Sequence, residues 1–287
     1  MTRESSQFKG ILKLENDTSF ILDDNGQRIF GNELIWNGYI SHWKDKQVHA
    51  QYLSQHDYDH EKPIIIIWPV ETNPTEPFVE LYYNERLVKY RASLFGHTAI
   101  NVNGKIFNFS HLINENEIMS KAEYFYRPAL GEFAPSPRTG QIEIKTDGRS
   151  YFDKFGRNFM RTIHVVRIKG IDPTVLLDIL MEQLNIIHRT SIDPDNPAKY
   201  SDFNFFSRNC ATIIRDSLNR FGYDKIKGIF PRDLFINAAH FFQFKSGLDV
   251  NIFKMPQLLV SEAEPSGMTP LLNIKNWHKV MRLKYTS

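Results

Sequence analysis

The sequence has a single cysteine, Cys210, in 287 residues. A lone thiol excludes an internal disulfide and a thiolate zinc site. Long apolar runs are missing too. The most apolar segment, Ile64-Ile65-Ile66-Ile67-Trp68, has strand length and falls well short of the ~20 residues that span a bilayer. No transmembrane segment is expected. Neither sign of charge dominates: the net charge is +2, so the footprint of a nucleic-acid partner is lacking and none is expected. The opening residues, Met1-Thr2-Arg3-Glu4-Ser5-Ser6-Gln7, have no apolar h-region. The expectation is synthesis in the cytosol without a signal peptide, any export needing a dedicated secretion system. No cofactor is expected. Aromatic residues, by contrast, are plentiful, with 22 Phe, which points to a large aromatic core or an apolar cleft.

Residues 1–70 read as a small all-β unit, barrel-like, with candidate strands Gly10–Leu14, Ser19–Leu22, Gln47–Leu53 and Pro63–Trp68 and a turn at Asp24-Asn25-Gly26. Glu33–Tyr39 fits a strand or a short helix. The cluster His56-Asp57-Tyr58-Asp59-His60 has metal-ligand residue types, but no ligand from a third element can be named. It reads as a solvated loop, and no metal is expected. Residues 71–77, Glu71-Thr72-Asn73-Pro74-Thr75-Glu76-Pro77, are polar, carry two prolines and have no periodicity, as a linker does. The second domain is placed at 78–287.

That domain opens with a hairpin, Phe78–Tyr83 and Leu87–Arg91. A second hairpin signal follows at Asn103-Gly104, between alternating runs. If that pair forms a two-residue loop, Val102 pairs with Lys105 and Ala99 with Asn108. Period-2 geometry then puts His97, Ala99, Asn108 and Ser110 on one face, and Ile100, Val102, Phe107 and Phe109 on the other. Residues 112–160 hold Pro128, Pro135 and Pro137 with Gly131 and Gly140, and read as a long excursion rather than regular elements. Ile163–Lys169 reads as a strand. Asp172-Pro173 starts a helix whose apolar face is Val175, Leu176, Ile179, Leu180, Leu184 and Ile187.

Cys210 opens the next helix. Asn209 is a good N-cap type, the apolar positions Cys210, Ile213, Ile214, Leu218 and Phe221 have helical spacing, and Gly222 supplies the stop. A thiol in the first turn meets unpaired N–H groups and the positive end of the helix dipole, so it is expected to ionise below the ~8.5 of free cysteine. Free cysteine otherwise packs as a small hydrophobe. A nucleophile also needs a base, a group that orients the base, and oxyanion donors. His97 supplies the base and Asn108, on the same face of the next strand, an acceptor for its N–H. The backbone N–H of Cys210 is one oxyanion donor, with Asn204 or Tyr200 as a side-chain donor. His111 and His164 are rival bases, but strand parity turns His111 away from His97. Past Gly222, Pro231 opens a helix over Arg232–Phe242. The tail from Leu248 holds only short apolar pieces, Leu258–Val260 and Trp277–Leu283.

Gly96-His97-Thr98-Ala99-Ile100, a following strand with a polar orienter, a strand and a helix, then Tyr200 and Asn209-Cys210-Ala211 make an ordered set. From Phe78 to Phe242 it resembles the circularly permuted papain-like cysteine hydrolases, relatives of NlpC-type cell-wall peptidases and of the lecithin–retinol acyltransferase group. The resemblance implies an α+β fold: an antiparallel sheet packed on helices, with the catalytic helix against the sheet. It does not cover residues 1–77. In the acyltransferase group the third residue is usually a second His; Asn108 stands there instead, which leans toward amide hydrolysis. The expected activity is a Cys210-His97-Asn108 peptidase or amidase acting on cell-wall peptide, in the context of an antibacterial effector exported to a target-cell periplasm. Its expected partners are a peptide or cell-wall substrate and a secretion-system carrier or immunity protein. The alternatives are a thioester-forming acyltransferase or lipid hydrolase with the same triad, and a non-catalytic binding protein with a degenerate papain-like domain.

Overall fold

The computed structural model describes residues 7–33, 35–56, 62–70, 75–86, 95–111, 115–126, 133–135, 142–144, 158, 161–255, 267–268 and 274–286. The expected Leu87–Arg91 strand, Leu258–Val260, most of the His56–His60 cluster, part of the 71–77 linker and much of 112–160 lie outside them. The chain divides into two compact units. The first is Met1–Asn73 with Lys121–Ala134 and Ile142–Phe159, and the second is Pro74–Ser120 with Pro135–Gln141 and Met160–Ser287. The first unit thus takes in residues 121–134 and 142–159, which the sequence reading assigns to the 78–287 domain.

In the first unit, β1 (Phe8–Glu15), β2 (Thr18–Leu22), β3 (Arg28–Ile29), β4 (Gln47–His56) and β5 (Pro63–Pro69) form an antiparallel sheet in the order β3-β2-β1-β4-β5. Asn16 and Asp17 hold φ values of 47° and 60°, the left-handed pair that a tight hairpin between β1 and β2 requires. Among the described residues no pairing joins β3 to β5 to close the expected barrel. The unit is not all-β either, because Asn37–Trp43 forms a helix, α1. Tyr39 and Trp43, four residues apart, both bury and stack with ring centroids 5.4 Å apart. That i,i+4 aromatic pair decides between the strand and helix readings of this stretch. Lys121–Tyr126 forms α2, whose Tyr126 ring meets Trp43 and whose Tyr126 carbonyl accepts from the Tyr39 hydroxyl. Part of the expected irregular excursion is therefore a regular element.

The second unit is built on β6 (Phe78–Asn84), β7 (His97–Val102), β8 (Lys105–Asn108) and β9 (Glu117–Met119), with β12 (Ile163–Lys169) and β15 (Asp249–Met255). They form one antiparallel sheet in the order β15-β12-β6-β7-β8-β9. The strand β15 was not expected, since the alternation of Asp249–Met255 is weak. A short ribbon of β13 (Ile192–Asp193) with β14 (Asn196–Tyr200) also belongs to this unit, whereas β10 (Phe133–Pro135), which pairs with β11 (Ile142–Ile144), falls mostly and β11 wholly in the first unit.

One face of the large sheet carries the helices α3 (Thr174–Arg189), α4 (Cys210–Arg220) and α5 (Pro231–Gln243). The core between them includes Leu81, Ile100, Phe107, Phe109 and Val166 from the sheet side and Leu180, Ile214, Leu218 and Phe235 from the helices. Each such side chain contributes about 1.5–3 kcal/mol on burial. The strand parity read from the hairpin puts Ile100, Val102, Phe107 and Phe109 on this face, and all four are buried in this core. Val175 departs from the expected helix stripe and is 56% exposed, because it precedes Leu176 at the edge of the arc that α3 turns to the sheet. The short helix α6 (Trp277–Val280) follows a 3-10 turn at Ile274–Asn276. The architecture is α+β with antiparallel sheets. Among the described residues no helix is long and apolar enough to cross a membrane.

Candidate active site

The site forms at one end of the large sheet, where β6, β7 and β12 lie side by side. Asn84 pairs with His97 on one flank and with Ile163 on the other. The chain enters β7 through Gly96 at φ +73°. A Cβ there would lie 2.5 Å from the Asn84 carbonyl oxygen and 2.7 Å from a Tyr83 ring carbon, so only glycine lets His97 start the strand here. At the far end Asn103 and Gly104 hold φ values of 51° and 89°, and Ala99 pairs with Asn108 and Val102 with Lys105. This register sets Asn108 diagonally beside His97.

The two side chains meet, with His97 Nε2 2.6 Å from Asn108 Oδ1. The other end of the amide is fixed, because Asn108 Nδ2 donates to the Glu115 carbonyl at 2.5 Å. The amide oxygen therefore faces the ring and accepts from it, which favours the tautomer with its proton on Nε2. Asn108 is 6% exposed, which shields this bond from competing water. The loop behind it is tied down in turn. Ser110 N donates to Asn116 Oδ1 at 2.9 Å, Asn116 Nδ2 returns a bond to Ser110 O at 2.9 Å, and Ser110 Oγ donates to Glu115 Oε2 at 2.5 Å. His188 of α3 lies 2.7 Å from the Asn116 carbonyl. Ser110 thus braces the loop that holds the orienting amide.

The helix α4 is capped at both ends. Asn209 Oδ1 accepts from Ala211 N at 2.8 Å and Thr212 N at 3.0 Å, while Thr212 Oγ1 accepts from Asn209 N at 2.8 Å, a reciprocal capping box. At the other end Gly222 takes φ +116°, with Gly222 N bonded to Asn219 O and Tyr223 N to Leu218 O, a Schellman close. The helix packs along β7. The half-buried Cys210 thiol lies at the backbone N–H of Thr98, the neighbour of His97 in the chain. Burial pushes this thiol up to about 11, against the N–H groups of Thr98, Ala211 and Cys210 and the charge of Arg161, all of which favour the thiolate. The expected lowering by the helix start is therefore reversed, because desolvation outweighs the donors.

Arg161 had no signal in the sequence. It lies just before β12, is 6% exposed, and donates through Nη1 to the Glu85 carbonyl at 3.3 Å. Its guanidinium is the cation that acts on Cys210. The other sequence candidates go elsewhere. Asn204 spends its side-chain oxygen in its own turn, accepting from Phe206 N and Ser207 N at 3.0 Å each. Tyr200 belongs to the apolar core. His111 packs its ring against Phe203. His164 is 1% exposed and engaged on both nitrogens, 2.7 Å from Glu85 Oε1 and 2.8 Å from the Tyr285 hydroxyl. Burial holds its imidazole below the usual value, ahead of the opposing pull of Glu85. Among the described residues no three His, Cys, Asp or Glu side chains converge to hold a metal ion.

The arrangement offers a thiol, an imidazole held by an amide oxygen, and helix-start N–H groups, a set of the kind that acyl transfer through a thioester uses. In comparisons with protein families, curated proteins and solved structures, the chain matches none.

Proposed function

We propose that the chain is a thiol-dependent hydrolase that cleaves an amide bond by a Cys210-His97-Asn108 mechanism. The observation that carries the reading is the His97–Asn108 bond of 2.6 Å on the strand whose next N–H, that of Thr98, meets the Cys210 sulfur. Asn108 holds the ring with its proton on Nε2, so Nδ1 is the base. Because burial keeps the resting thiol protonated at neutral pH, Nδ1 takes the thiol proton as sulfur attacks the carbonyl carbon. The N–H of Cys210 donates to the oxyanion of the tetrahedral intermediate. As the C–N bond breaks, the imidazolium returns the proton to the departing amine. Water, deprotonated by Nδ1, then opens the thioester, and the thiol and the free acid are released.

A cell-wall peptide is the favoured substrate, in the context of a delivered antibacterial effector. Asn108 in the place of a second His supports an amide over a lipid ester. The runner-up, an acyltransferase or lipid hydrolase with the same triad, draws its support from the exposed Phe205 and Phe206 in the turn that precedes Cys210. The test is to incubate the wild type and Cys210→Ala with purified sacculi and, separately, with phospholipid vesicles, and to identify products by mass spectrometry. Cys210-dependent release of peptide is expected. Cys210-dependent release of fatty acid from vesicles, with sacculi untouched, would overturn the amidase reading and select the runner-up.

A further inference from the structure

The segment from Ile274 to Thr286 takes no part in the chemistry above. Its backbone is helical from the 3-10 turn at Ile274–Asn276 through α6. Met281 N, Arg282 N and Leu283 N continue the turns by donating to Trp277 O, Lys279 O and Val280 O. Two faces result. On one, Asn276 is fully buried and donates through Nδ2 to Asp233 Oδ1 at 2.9 Å, Lys279 Nζ donates to Asn237 Oδ1, and Leu283 packs on the core of the second unit. On the other lie Ile274, Trp277 and Met281, at i, i+3 and i+7. Ile274 and Met281 are 83% and 76% exposed, the highest values for large apolar side chains among the described residues, and Trp277 is 47% exposed.

The segment is tied down along its length. Gln243 of α5 donates through Nε2 to Arg282 O at 2.9 Å and accepts from Lys284 N at 2.7 Å. The Tyr285 hydroxyl lies 2.8 Å from His164 Nδ1, and Thr286 N donates to Ile252 O of β15 at 2.8 Å. The fold thus presents the apolar stripe outward at fixed positions. The exposed Phe244 extends it, because its ring meets that of His240 at 4.9 Å and His240 meets His278 of α6 at 6.4 Å. The charge around the stripe has one sign. Lys275 follows Ile274, Arg282 follows Met281, Lys245 follows Phe244, and Lys284 comes two residues after Arg282. All four are exposed, and residues 274–287 hold no Asp or Glu.

We propose that Ile274, Trp277 and Met281 insert among the head groups of an anionic lipid bilayer, with Lys275, Arg282 and Lys284 against its charge. The inference is independent of the amide-hydrolysis reading. Apolar residues on one helical face with cations at their flanks give interfacial binding, and Trp suits the head-group level because its ring is apolar and its N–H polar. Each Lys or Arg close to an anionic surface adds to the attraction. The cores of protein interfaces are depleted in lysine, whereas here Lys275 directly adjoins the stripe. The helical turns are too short to span a bilayer, so the contact is a surface one.

The test sediments the full chain with vesicles of equal parts phosphatidylglycerol and phosphatidylcholine, and with vesicles of phosphatidylcholine alone. Binding is expected with the first, and weaker by ~10-fold or more with the second or at raised salt. Ile274→Ser with Met281→Ser, and separately Arg282→Glu with Lys284→Glu, are each expected to weaken it by ~10-fold or more, with urea midpoints unchanged. Ile186→Ser, which removes an exposed apolar residue of α3, is expected to leave binding as it is, and Cys210→Ala to sediment as the wild type does. Brominated phosphatidylglycerol is expected to quench tryptophan emission in the wild type, and Trp277→Phe to lose this quenching. No sedimentation, equal sedimentation with both vesicles, or equal sedimentation by the Ile274→Ser, Met281→Ser protein overturns the proposal. So does a concentration-dependent dimer that this variant abolishes, with vesicles unbound, which would make the stripe a contact between copies of the chain. Turnover of sacculi is measured in parallel. Sedimentation through the stripe with nothing released from sacculi keeps the lipid contact and loses the amidase reading.

Discussion

Replacing Asn108 by Ala removes two hydrogen bonds with different consequences. The bond to the Glu115 carbonyl is structural, and its loss leaves a carbonyl facing the vacated, largely buried space. An unsatisfied buried acceptor costs about 1–3 kcal/mol, so urea unfolding is expected to show a stability loss of about 2 kcal/mol. In the proposed mechanism the bond to His97 Nε2 orients the base. Without it the neutral imidazole distributes between its two N–H tautomers, and the ring is free to turn. A positioned base contributes ~100- to 10,000-fold, and losing its orientation forfeits part of that. The expected fall in kcat is about 10- to 100-fold, or about 1.4–2.7 kcal/mol of transition-state stabilisation, with KM little changed because Asn108 acts through His97. Asn108→Asp separates position from packing. Its carboxylate still accepts from Nε2–H but raises the imidazole pKa, so the acid limb of the pH–rate profile is expected to move to higher pH. The assay is Cys210-dependent release from sacculi at saturating and limiting substrate, alongside urea unfolding. An Asn108→Ala protein that loses the expected stability yet keeps wild-type kcat, with an unmoved acid limb in Asn108→Asp, would reduce Asn108 to a packing residue.

Three further outcomes are expected. Cys210→Ala abolishes turnover and His97→Ala is nearly as damaging, and the double variant is no worse than either single one, as for groups that share one proton; additive losses in steady-state rates would refute the pairing. Because burial pushes the Cys210 thiol up to about 11, its alkylation by iodoacetamide is expected to keep accelerating with pH beyond 9, whereas the unfolded chain levels off near ~8.5; a plateau below pH 8 in the folded protein would show a preformed thiolate. His164 is held below its ordinary value in the fold, so between that lowered pKa and ~6.5 the unfolded chain binds more protons. Stability contributed by the neutral His164 is therefore present above ~6.5 and lost on acidification through the folded pKa, and His164→Gln is expected to flatten this part of a urea-midpoint series across pH.

The sequence carried those parts of the site that depend on local chemistry. Asn103-Gly104 between alternating runs set the hairpin register, and with it the pairing of Ala99 with Asn108 and the diagonal meeting of His97 and Asn108. Asn209 and Gly222 marked both ends of α4, because a cap and a left-handed stop are properties of single residues. What depended on distant packing was not legible. The ionisation of Cys210 was misread because the helix start is visible locally while desolvation comes from elements far along the chain. Arg161 gave no sign of its place near the thiol, since its position follows from β12 pairing with β6. In the first unit, the helix at Asn37–Trp43 is settled by the Tyr39–Trp43 stack rather than by propensity.

The lone cysteine has a redox consequence. When an oxidant converts Cys210 to its sulfenic acid, the chain holds no second thiol to capture it as a disulfide. Recovery therefore depends on a small thiol from outside, and without one the oxidation proceeds to the irreversible sulfinic state. Burial of the thiol offsets this exposure, because oxidants attack the thiolate and desolvation disfavours that form. The same desolvation that slows the thiol toward simple alkylating agents protects a sulfur with no second thiol to rescue it.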